Sequence, residues 1–477
     1  MTSTKSLKVA FVHPDLGIGG AERLVVDAAK GLKSRGHNVV VYTSHHDTER
    51  CFAETKDGTL QVRVRGNTII PRTFSGSFYM VCAILRQLHL TLSMIIGDRE
   101  RYDVIFVDQL SACIPLLRMT GAKVLFYCHF PDKLLTQRDT TLKNLYRIPI
   151  DFIEGLTTGK HLTFGATHQN QNHVSRDYAV AFLGMADCVV VNSKFTSNVF
   201  CQSFNIGNPP QVLYPGIHLE TYDRKVDNNN ESVKVLETSK TVILSINRFE
   251  RKKNIVIAIR AFAWLRDDKM VDPTSFENMR LIIAGGYDYR VQENVEHHSE
   301  LNKVALQCGL KTYTIMPDSS KAPPETTQVV FLCSFNEAQR TYLLSKALCL
   351  LYTPENEHFG ITPIEAMYSR LPVISCNSGG PKETIRDGET GVLSQPRPMA
   401  FAEAMAAFVN GEYDRKAMGE RGRVHVQKSF SLEVFTASLE NLLIKLTTEP
   451  SKSIWNPLLW LSTMIALTVF LFSKYFG

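Results

Sequence analysis

The chain has 477 residues, of which 44% are hydrophobic, and its 53 Lys and Arg residues only slightly outnumber its 47 Asp and Glu residues. This length is more than one hydrophobic core usually holds, so we expect two domains of about 200 residues each, and the apolar content excludes a disordered or fibrous chain. The net charge of +6 includes no dense basic run, which argues against nucleic-acid binding.

The ten cysteines include no C-x-x-C pair. Several of them, such as Cys128 and Cys376, lie inside apolar runs. This pattern favours buried thiols in a reducing compartment over a disulfide framework or a zinc site. We therefore expect the folded domains to face the cytosol.

The first half of the chain alternates strand-like and helix-like segments. An apolar strand over 7–13 is followed by a Gly-rich loop at 16–20, an amphipathic helix over 21–33 and a second strand over 38–43, which is a βαβ start. Further strands are predicted at 103–107, 123–128 and 188–191. These segments predict a Rossmann-like domain over 1–220.

The second half repeats the alternation. A polar, turn-rich tract predicts a linker at 221–237, and a second Rossmann-like domain is expected over 238–450. Its predicted strands begin at Thr241, Arg280, Val329, Cys349 and Leu371. The predicted fold class is therefore α/β, with two doubly wound domains facing a central cleft.

One apolar segment indicates membrane contact, and a second is compatible with it. Residues 454–472 carry no charge and approach the length that crosses a ~30 Å hydrocarbon core, so we expect a membrane anchor over 451–477, either spanning or oblique. A second stretch, about 77–96, is interrupted by Arg86 and Gln87. Two interpretations remain open for it: a helix lying in the membrane interface with its polar side outward, or an ordinary domain helix.

The loop at 17–22 has the sequence G-I-G-G-A-E. Gly19 and Gly20 remove side chains where backbone amides and a helix N-terminus can meet a diphosphate. The motif is not G-x-G-x-x-G, so it does not support a dinucleotide cofactor. On its own, such a turn is weak evidence for a site.

A second loop, at 247–254, has the sequence N-R-F-E-R-K-K-N. Arg248 and Lys253 lie just before a helix that Asn254 can cap, so two cations and a helix dipole are expected to converge on one anionic ligand. A solvated basic turn is the alternative, and we expect it to account for Arg251 and Lys252.

A third loop carries two glutamates eight positions apart. Glu357 follows an apolar strand, and Thr362 and Glu365 fit a capping box at the start of the next helix. Ligands bind beyond the carboxyl ends of strands in open α/β sheets, so both glutamates are expected at the mouth of a crevice. Capping alone would explain Glu365, but it would explain neither Glu357 nor the S-G-G-P helix start at 378–381.

A fourth loop, C-H-F-P-D at 128–132, follows another predicted strand. His129 and Asp132 are expected to point into the cleft. A hydrogen-bonded structural histidine and a functional one are equally compatible with this pattern.

Together these loops resemble the motifs of the retaining glycosyltransferases of family four. Longer segments, including H-P-D-L-G-I-G-G-A-E at 13–22, Y-C-H-F-P-D at 127–132 and V-N-S-K-F-T at 191–196, are similar to the fungal α-1,3/α-1,6-mannosyltransferases that extend the dolichol-linked oligosaccharide. The similarity runs from about Lys8 to the hydrophobic C-terminal tail. It implies the two-domain glycosyltransferase-B fold.

The resemblance also implies substrates and partners. GDP-mannose would be the donor, and a mannosylated chitobiose on dolichyl diphosphate would receive one α-1,3 and one α-1,6 mannose. The other implied partners are the lipid bilayer of the endoplasmic reticulum and, as an open option, other early N-glycan mannosyltransferases. No cofactor and no metal ion are expected, because the chain contains no Asp-x-Asp motif.

The resemblance assigns roles to individual residues. Glu357 should hold the hydroxyls of the donor sugar, Glu365 the ribose, and His129 should orient the transferring mannose. The expected set comprises Glu357, His129, Lys253 and Arg248 as catalytic residues, Phe359, Gly360, Glu365, Gly379 and Gly380 as further donor contacts, and Gly19, Gly20, Glu22 and Asp132 on the acceptor or phosphate side.

One departure from the family pattern and two other functions remain open. Residues 160–184 intervene between T-T-G and M-A-D, either as a tolerated surface insertion or as a segment that perturbs the acceptor side. The alternatives to mannosyl transfer are a related transferase with another sugar donor or lipid acceptor, and a membrane scaffold that has kept the fold without catalysis.

Overall fold

A computed structural model describes residues 6–73, 79–135, 150–151, 154, 185–204, 209–317, 319 and 321–450. The chain forms two compact units: unit 1 comprises Met1–Pro215 and Phe435–Gly477, and unit 2 comprises Gly216–Val434. The predicted insertion at 160–184 and the predicted anchor at 451–477 lie outside the described residues.

Unit 1 contains a sheet of seven parallel strands. They are β1 (Lys8–Asp15), β2 (Asn38–His45), β3 (Gln61–Val64), β4 (Val104–Asp108), β5 (Lys123–Cys128), β6 (Cys188–Val191) and β7 (Gln211–Val212). In space they lie in the order β3-β2-β1-β4-β5-β6-β7. The central strands are buried along most of their length because helices cover a parallel sheet on both faces. The strand order reverses between β1 and β4, so their carboxyl ends border the place where such sheets bind ligands.

In the described part of the chain, helices lie between the strands of this sheet. They are α1 (Gly20–Ser34), α2 (Tyr79–Ser93), α3 (Ile114–Arg118), α4 (Asp132–Leu135) and α5 (Lys194–Phe204), with a 3-10 turn at Ala53–Thr55 and a π turn at Met94–Asp98. Both α1 and α2 contact β1 and β2. The first helix buries an apolar stripe that includes Leu24, Ala28 and Leu32, as expected from its helical spacing.

The helix α2 turns its polar residues toward the protein. Arg86 and Gln87 are buried, and Arg86 Nη2 donates to Ser44 O at 2.9 Å. The outer side instead exposes apolar residues, among them Leu85 and Leu92. The prediction of a polar outer side is therefore wrong, because Arg86 has an internal carbonyl partner.

Among the described helices, the stretch Tyr79–Asp98, with a mean hydropathy of 1.5, is the one long and apolar enough to cross a membrane.

Unit 2 contains a second parallel sheet of seven strands. They are β8 (Thr241–Ile246), β9 (Met279–Gly285), β10 (Thr312–Ile315), β11 (Val329–Cys333), β12 (Cys349–Tyr352), β13 (Val373–Cys376) and β14 (Gly391–Ser394). They lie in the order β10-β11-β9-β8-β12-β13-β14. All five strands predicted for this half are present, each within two residues of its predicted start. The order reverses between β8 and β12, which makes their carboxyl ends the ligand-binding edge of this unit.

Helices connect the strands of unit 2. They are α6 (Leu219–Tyr222), α7 (Glu231–Lys234), α8 (Val256–Asp267), α9 (Pro273–Glu277), α10 (Gln292–Gln307), α11 (Glu337–Lys346), α12 (Ile361–Tyr368), α13 (Pro381–Thr384), α14 (Pro398–Val409) and α15 (Arg415–Ser429), with a 3-10 turn at Arg251–Lys253. The core of the unit is formed by α8, α14 and the sheet, and includes the buried Phe262, Phe331 and Phe401.

The structure differs from the predicted domain division at the last helix, α16 (Leu432–Thr448). Most of this helix belongs to unit 1 rather than to the second domain. Glu440 contacts Arg35 Nε at 2.6 Å and His37 Nε2 at 3.0 Å, and these long-range contacts are not visible in a local sequence pattern.

The predicted linker at 221–237 is an ordered part of unit 2. Its helix α7 is capped by Asn230, whose side chain accepts from Ser232 N. The helix is also tied to α11, because Gln339 Nε2 donates to Ser232 O at 3.0 Å.

All ten cysteines lie in the described part of the chain and are free thiols. Cys128 and Cys376 are buried, as predicted, and burial raises the pKa of the Cys376 thiol to about 12.

The packing of α16 on α1 yields a stability prediction. A Cβ at Gly31 would overlap the side chain of Thr436, so Gly31→Val should lower the free energy of unfolding by about 1–3 kcal/mol through overpacking. Urea unfolding would measure this loss. Gly97→Val is the matched control, because no atom lies within 4 Å of a Cβ there. Equal stability of the two variants would contradict the described contact between α1 and α16.

Candidate functional site

The ligand-binding edge of unit 2 holds an ion pair between Lys253 and Glu357. The 3-10 turn after β8 carries Lys253, and the loop after β12 carries Glu357, so two neighbouring strands deliver the two charges. Lys253 Nζ contacts Glu357 Oε2 directly, and the two side chains are 13% and 21% exposed. Burial acts to raise the pKa of Glu357, but Lys253, with smaller contributions from His358 and Tyr352, outweighs burial and holds this pKa below its usual value. Glu357 is therefore an ionised acceptor at neutral pH.

The S-G-G-P loop fixes the backbone of the Glu357 loop. Gly380 N donates to Glu357 O at 2.8 Å, and Asn356 N donates to Ser378 Oγ at 3.0 Å. Gly379 has a φ of +64°, and a Cβ there would overlap the backbone of Glu357. Because the Gly380 N–H already donates to Glu357 O, Gly380 shapes the loop and does not offer a free donor to a ligand.

The second glutamate, Glu365, occupies a separate environment. It accepts a hydrogen bond from Tyr222 Oη, and Arg340 Nη1 lies 3.8 Å from its Oε1. The Arg340 guanidinium in turn stacks over the Tyr222 ring at 4.7 Å. Burial raises the pKa of Glu365, although Arg340 and the bond from Tyr222 oppose it. Tyr222 and Arg340 were not predicted from the sequence, since neither lies in a recognisable motif.

Two predicted helix caps in unit 2 are wrong. Thr362 does not cap α12: the helix starts at Ile361, after Gly360 with a φ of +85° and no side-chain cap. Asn254 does not cap α8, which begins at Val256. Asn254 instead adopts a φ of +50°, and its side-chain amide donates to Glu355 Oε1 at 3.1 Å.

The other predicted donor contacts of unit 2 differ in placement. Arg248 is 61% exposed and pairs with Glu250 at 2.8 Å, so it lies at the surface rather than against Glu357. Phe359 is buried, and its ring meets Phe430 at a centroid distance of 5.9 Å, so it serves the core. Arg251 is exposed and paired with glutamates of α10, in agreement with a solvated basic turn.

The corresponding edge of unit 1 holds a second polar cluster. His129 follows β5, and its Nε2 lies 3.3 Å from Oδ2 of Asp108, the last residue of β4. Asp108 Oδ1 lies 2.7 Å from Nδ1 of His13 in β1, and His13 Nε2 lies 3.7 Å from Glu22 Oε1 in α1. His129 and Glu22 were predicted from the sequence as site residues, whereas His13 and Asp108 were not. Both could have been found by the rule that selected His129, since each is a polar residue near the end of an apolar strand.

The glycines and Asp132 lie beside this cluster. Gly19 is the N-cap position of α1 and Gly20 its first residue, and a Cβ at Gly19 would overlap the Glu22 carboxylate. Nothing lies within 4 Å of a Cβ at Gly20, so space remains at this helix start. Asp132 begins α4, and its backbone N–H donates to Glu154 Oε1 at 2.7 Å.

In the described ranges, no group of three or more His, Cys, Asp or Glu side chains is placed to hold a metal ion. The polar groups at the two strand edges are instead hydrogen-bond acceptors accompanied by single cations. Such sets suit ligands that carry hydroxyls together with an anionic group.

Comparison with known proteins identifies the family. Residues 18–221 match the model of "Glycosyltransferase Family 4", and residues 227–425 match that of "Glycosyl transferases group 1". The chain is 55% identical over 458 residues to "Alpha-1,3/1,6-mannosyltransferase ALG2" of Rhizomucor pusillus, with 95% of each chain covered. It is 43% identical to the protein of the same name from Homo sapiens, covering 92% of this chain and 96% of that one. The chain belongs to the alpha-1,3/1,6-mannosyltransferase family.

Solved structures agree with this assignment at the level of the fold. A glycosyltransferase from Rickettsia africae has a TM-score of 0.66 at 16% identity, covering 94% of this chain and all of that one. WaaG, described as a glycosyltransferase involved in lipopolysaccharide biosynthesis, has a TM-score of 0.59 at 16% identity, covering 93% and 100%. The predicted family, the glycosyltransferase-B fold class and the enzyme class are confirmed.

The two glutamates of unit 2 should affect stability with opposite signs. A carboxyl whose pKa falls on folding stabilises the chain above its unfolded pKa, and this contribution is lost as the pH drops. A carboxyl whose pKa rises on folding contributes below its unfolded pKa and loses that contribution as the pH rises. At pH 7.5, Glu357→Gln should therefore lower the free energy of unfolding by about 1.5–3 kcal/mol, since Lys253 loses its charged partner. Glu365→Gln should leave it unchanged or raise it.

Urea unfolding at pH 7.5 and pH 4.0 would check this pair of variants. The penalty of Glu357→Gln should shrink at pH 4.0, because this carboxyl is partly protonated in the unfolded state there and the unaltered chain has already lost part of its contribution. A larger loss for Glu365→Gln than for Glu357→Gln at pH 7.5 would show that the assignment of the two environments is reversed.

Proposed function

We propose that the chain transfers mannose from GDP-mannose, with retention of configuration, onto the core mannose of a dolichyl-diphosphate oligosaccharide, forming both the α-1,3 and the α-1,6 linkage. The observation that carries this proposal is the coincidence of family membership over nearly the whole chain with a Lys253–Glu357 pair at the ligand-binding edge of unit 2. Family membership supports the reaction class, and the pair offers chemistry suited to a sugar diphosphate.

Lys253 is the proposed partner of the donor diphosphate. Its ammonium has three donors and only one of them is needed for Glu357, so it can bind a phosphate oxygen without leaving the glutamate. The developing charge of the departing diphosphate would be stabilised by this fixed cation. Arg248, exposed beside the same turn, would reach the diphosphate by moving from Glu250.

Glu357 and Glu365 are proposed to bind hydroxyls of the donor. Glu357 is ionised and can only accept, which suits the hydroxyl groups of mannose. Glu365 has one oxygen bonded to Tyr222, and its second oxygen would accept from the ribose. Gly360, Gly379 and Gly380 would act by shaping the loops that carry these groups.

The two glutamates are not proposed as a glycosidase acid and nucleophile, because their ligands are hydroxyls of different parts of the donor. For a reaction with retention, we favour a mechanism in which donor and acceptor react on the same face. The departing diphosphate would take the proton of the attacking acceptor hydroxyl, while Lys253 and Arg248 stabilise the charge. No metal ion is assigned a role in this scheme.

The edge of unit 1 is proposed to serve the transferring mannose and the acceptor. His129 would orient the mannose, and Gly19 and Gly20 would admit a phosphate or sugar close to the backbone at the start of α1. Asp132 and Glu22 lie on this side, and Glu22 acts through His13. The exposed apolar residues of α2 support contact with a lipid acceptor at the cytosolic face of the endoplasmic reticulum membrane.

Product analysis is the direct test. The purified full-length chain should convert GDP-mannose and lipid-linked trisaccharide into a pentasaccharide with one α-1,3 and one α-1,6 linkage, read by linkage-specific mannosidases and mass spectrometry. Transfer from another nucleotide sugar alone would show a related transferase. No transfer from any donor would indicate a scaffold and overturn the proposal.

Removal of the Lys253 charge should impair turnover strongly. Loss of one preorganised donor to a developing negative charge typically lowers kcat about 10²–10³-fold, and we expect this for Lys253→Ala. Lys252→Ala is the matched control, since Lys252 is adjacent but exposed, and its ion pair among the described residues is with Glu250 rather than Glu357. Initial rates at saturating GDP-mannose would measure both. Equal rates for the two variants would remove the phosphate role of Lys253.

The proposed role of Lys253 implies that mannose transfer does not depend on a divalent metal ion and is therefore insensitive to chelators. If Lys253 and Arg248 stabilise the diphosphate, then an excess of EDTA should change the transfer rate by less than about twofold. Rates would be compared before chelation, after it, and after addition of Mg²⁺ or Mn²⁺. Loss of transfer with EDTA and recovery with either ion would refute this part of the proposal.

A further inference from the structure

His13 lies between two carboxylates in the interior of unit 1. Its side chain is 0% exposed, with Asp108 Oδ1 2.7 Å from Nδ1 and Glu22 Oε1 3.7 Å from Nε2. The second distance allows an ion pair but exceeds that of a hydrogen bond, and Nε2 has no hydrogen-bond partner in the described part of the chain. Buried polar groups without such partners are costly, so this arrangement calls for an explanation beyond packing.

The three groups are arranged as one cation between two anions. Burial acts to lower the pKa of His13, but Asp108 and Glu22 together raise it to about 10. Burial acts to raise the pKa of Asp108 and of Glu22, but both values are lowered: His13 and His129 together outweigh burial at Asp108, and His13 with a backbone hydrogen bond outweighs it at Glu22. At neutral pH, His13 is therefore an imidazolium that balances Asp108.

Two further titratable groups face Asp108, and both stay neutral. Burial raises the pKa of the Tyr127 hydroxyl, and it raises the pKa of the Cys113 thiol to about 12. Neither can replace His13 as a positive partner. In the described residues, the one other group able to supply a cation to Asp108 is His129.

The contact with Asp108 determines which nitrogen of His129 carries a proton. An ionised carboxylate only accepts, so His129 Nε2, 3.3 Å from Asp108 Oδ2, must donate. In a neutral ring, Nδ1 is then an acceptor, and it has no partner among the described residues. The ring is held against Tyr127 at a centroid distance of 4.9 Å and remains 25% exposed.

We infer that His13 is a positioning residue of the transfer reaction: its positive charge neutralises Asp108, and Asp108 holds His129 in the tautomer whose Nδ1 accepts a hydrogen bond from a hydroxyl of the transferring sugar. This inference rests on the proposed function. Without the charge on residue 13, His129 becomes the cation that balances Asp108, and its Nδ1 changes from acceptor to donor. His13 thereby acts through His129 and does not touch the sugar.

The pH dependence of transfer distinguishes this role from structural support. In His13→Gln, the amide can still donate to Asp108, but the charge is gone. We expect kcat to fall at least about tenfold at pH 7 and to recover to within threefold of the unaltered chain as the pH is raised, since a neutral His129 again offers an accepting Nδ1. The acid limb of the kcat profile should move up by about one pH unit or more, while KM for GDP-mannose changes less than kcat.

A double-mutant cycle and a matched control complete this test. If His13 acts through His129, then His13→Gln should lower kcat by less than twofold in a His129→Ala background. His37→Gln is the control, because His37 is also buried and bonded to a carboxylate, Glu440, but lies at the other end of α1. It should lower stability without moving the acid limb. An additive loss in the cycle, or an unshifted acid limb in His13→Gln, would overturn the inference.

Histidine NMR gives a readout that does not depend on activity. In the full-length chain labelled with ¹⁵N-histidine, His13 should appear as an imidazolium at pH 8, and His129 as the neutral tautomer protonated at Nε2, with assignments from His13→Gln and His129→Ala. A neutral His13, or His129 protonated at Nδ1, would refute the inference even if mannose transfer is confirmed. If instead the spectra agree but no mannose is transferred, then the proposed function fails and the charge arrangement stands.

Discussion

The ion pair between Lys253 and Glu357 is the contact on which the ligand-binding edge of unit 2 depends. Either charge alone would carry a desolvation cost at its degree of burial, and the attraction between the two charges offsets that cost. The backbone of the Glu357 loop is fixed independently by Gly379 and Gly380. The carboxylate is therefore positioned by both charge and backbone before any ligand arrives, and such preorganisation makes electrostatic stabilisation effective.

In unit 1, a histidine provides the positive charge that a buried carboxylate requires. Asp108 is fully buried at the end of β4, and His13 from the neighbouring β1 provides the balancing charge. In both units the charged partners come from the two strands that flank the reversal of strand order. This position is favoured because the connections that leave two such strands run to opposite faces of the sheet, and the crevice between them is within reach of side chains from both.

Much of the fold follows from local patterns, whereas several contacts of the site do not. The apolar runs predicted the strands because a covered parallel sheet needs apolar residues along its length. The Thr362 capping box failed because Gly360, with its positive φ, allowed the helix to begin at Ile361. The bond from Tyr222 to Glu365 joins residues 143 positions apart, and Arg86 finds its carbonyl partner 42 positions away. Sequence periodicity contains no information on such partners.

The Lys253–Glu357 pair also bears on the choice between an enzyme and a silent scaffold. Removing two charges from water costs about as much as their attraction returns, so a partly buried ion pair is weak support for a fold. In a scaffold without ligand, this pair at the carboxyl ends of β8 and β12 would therefore add little folding stability. For a nucleotide sugar it would add binding affinity, because the hydroxyls of the sugar donate to a carboxylate and the diphosphate accepts from an ammonium. Ligand binding explains the position and the pairing of these charges better than stability does.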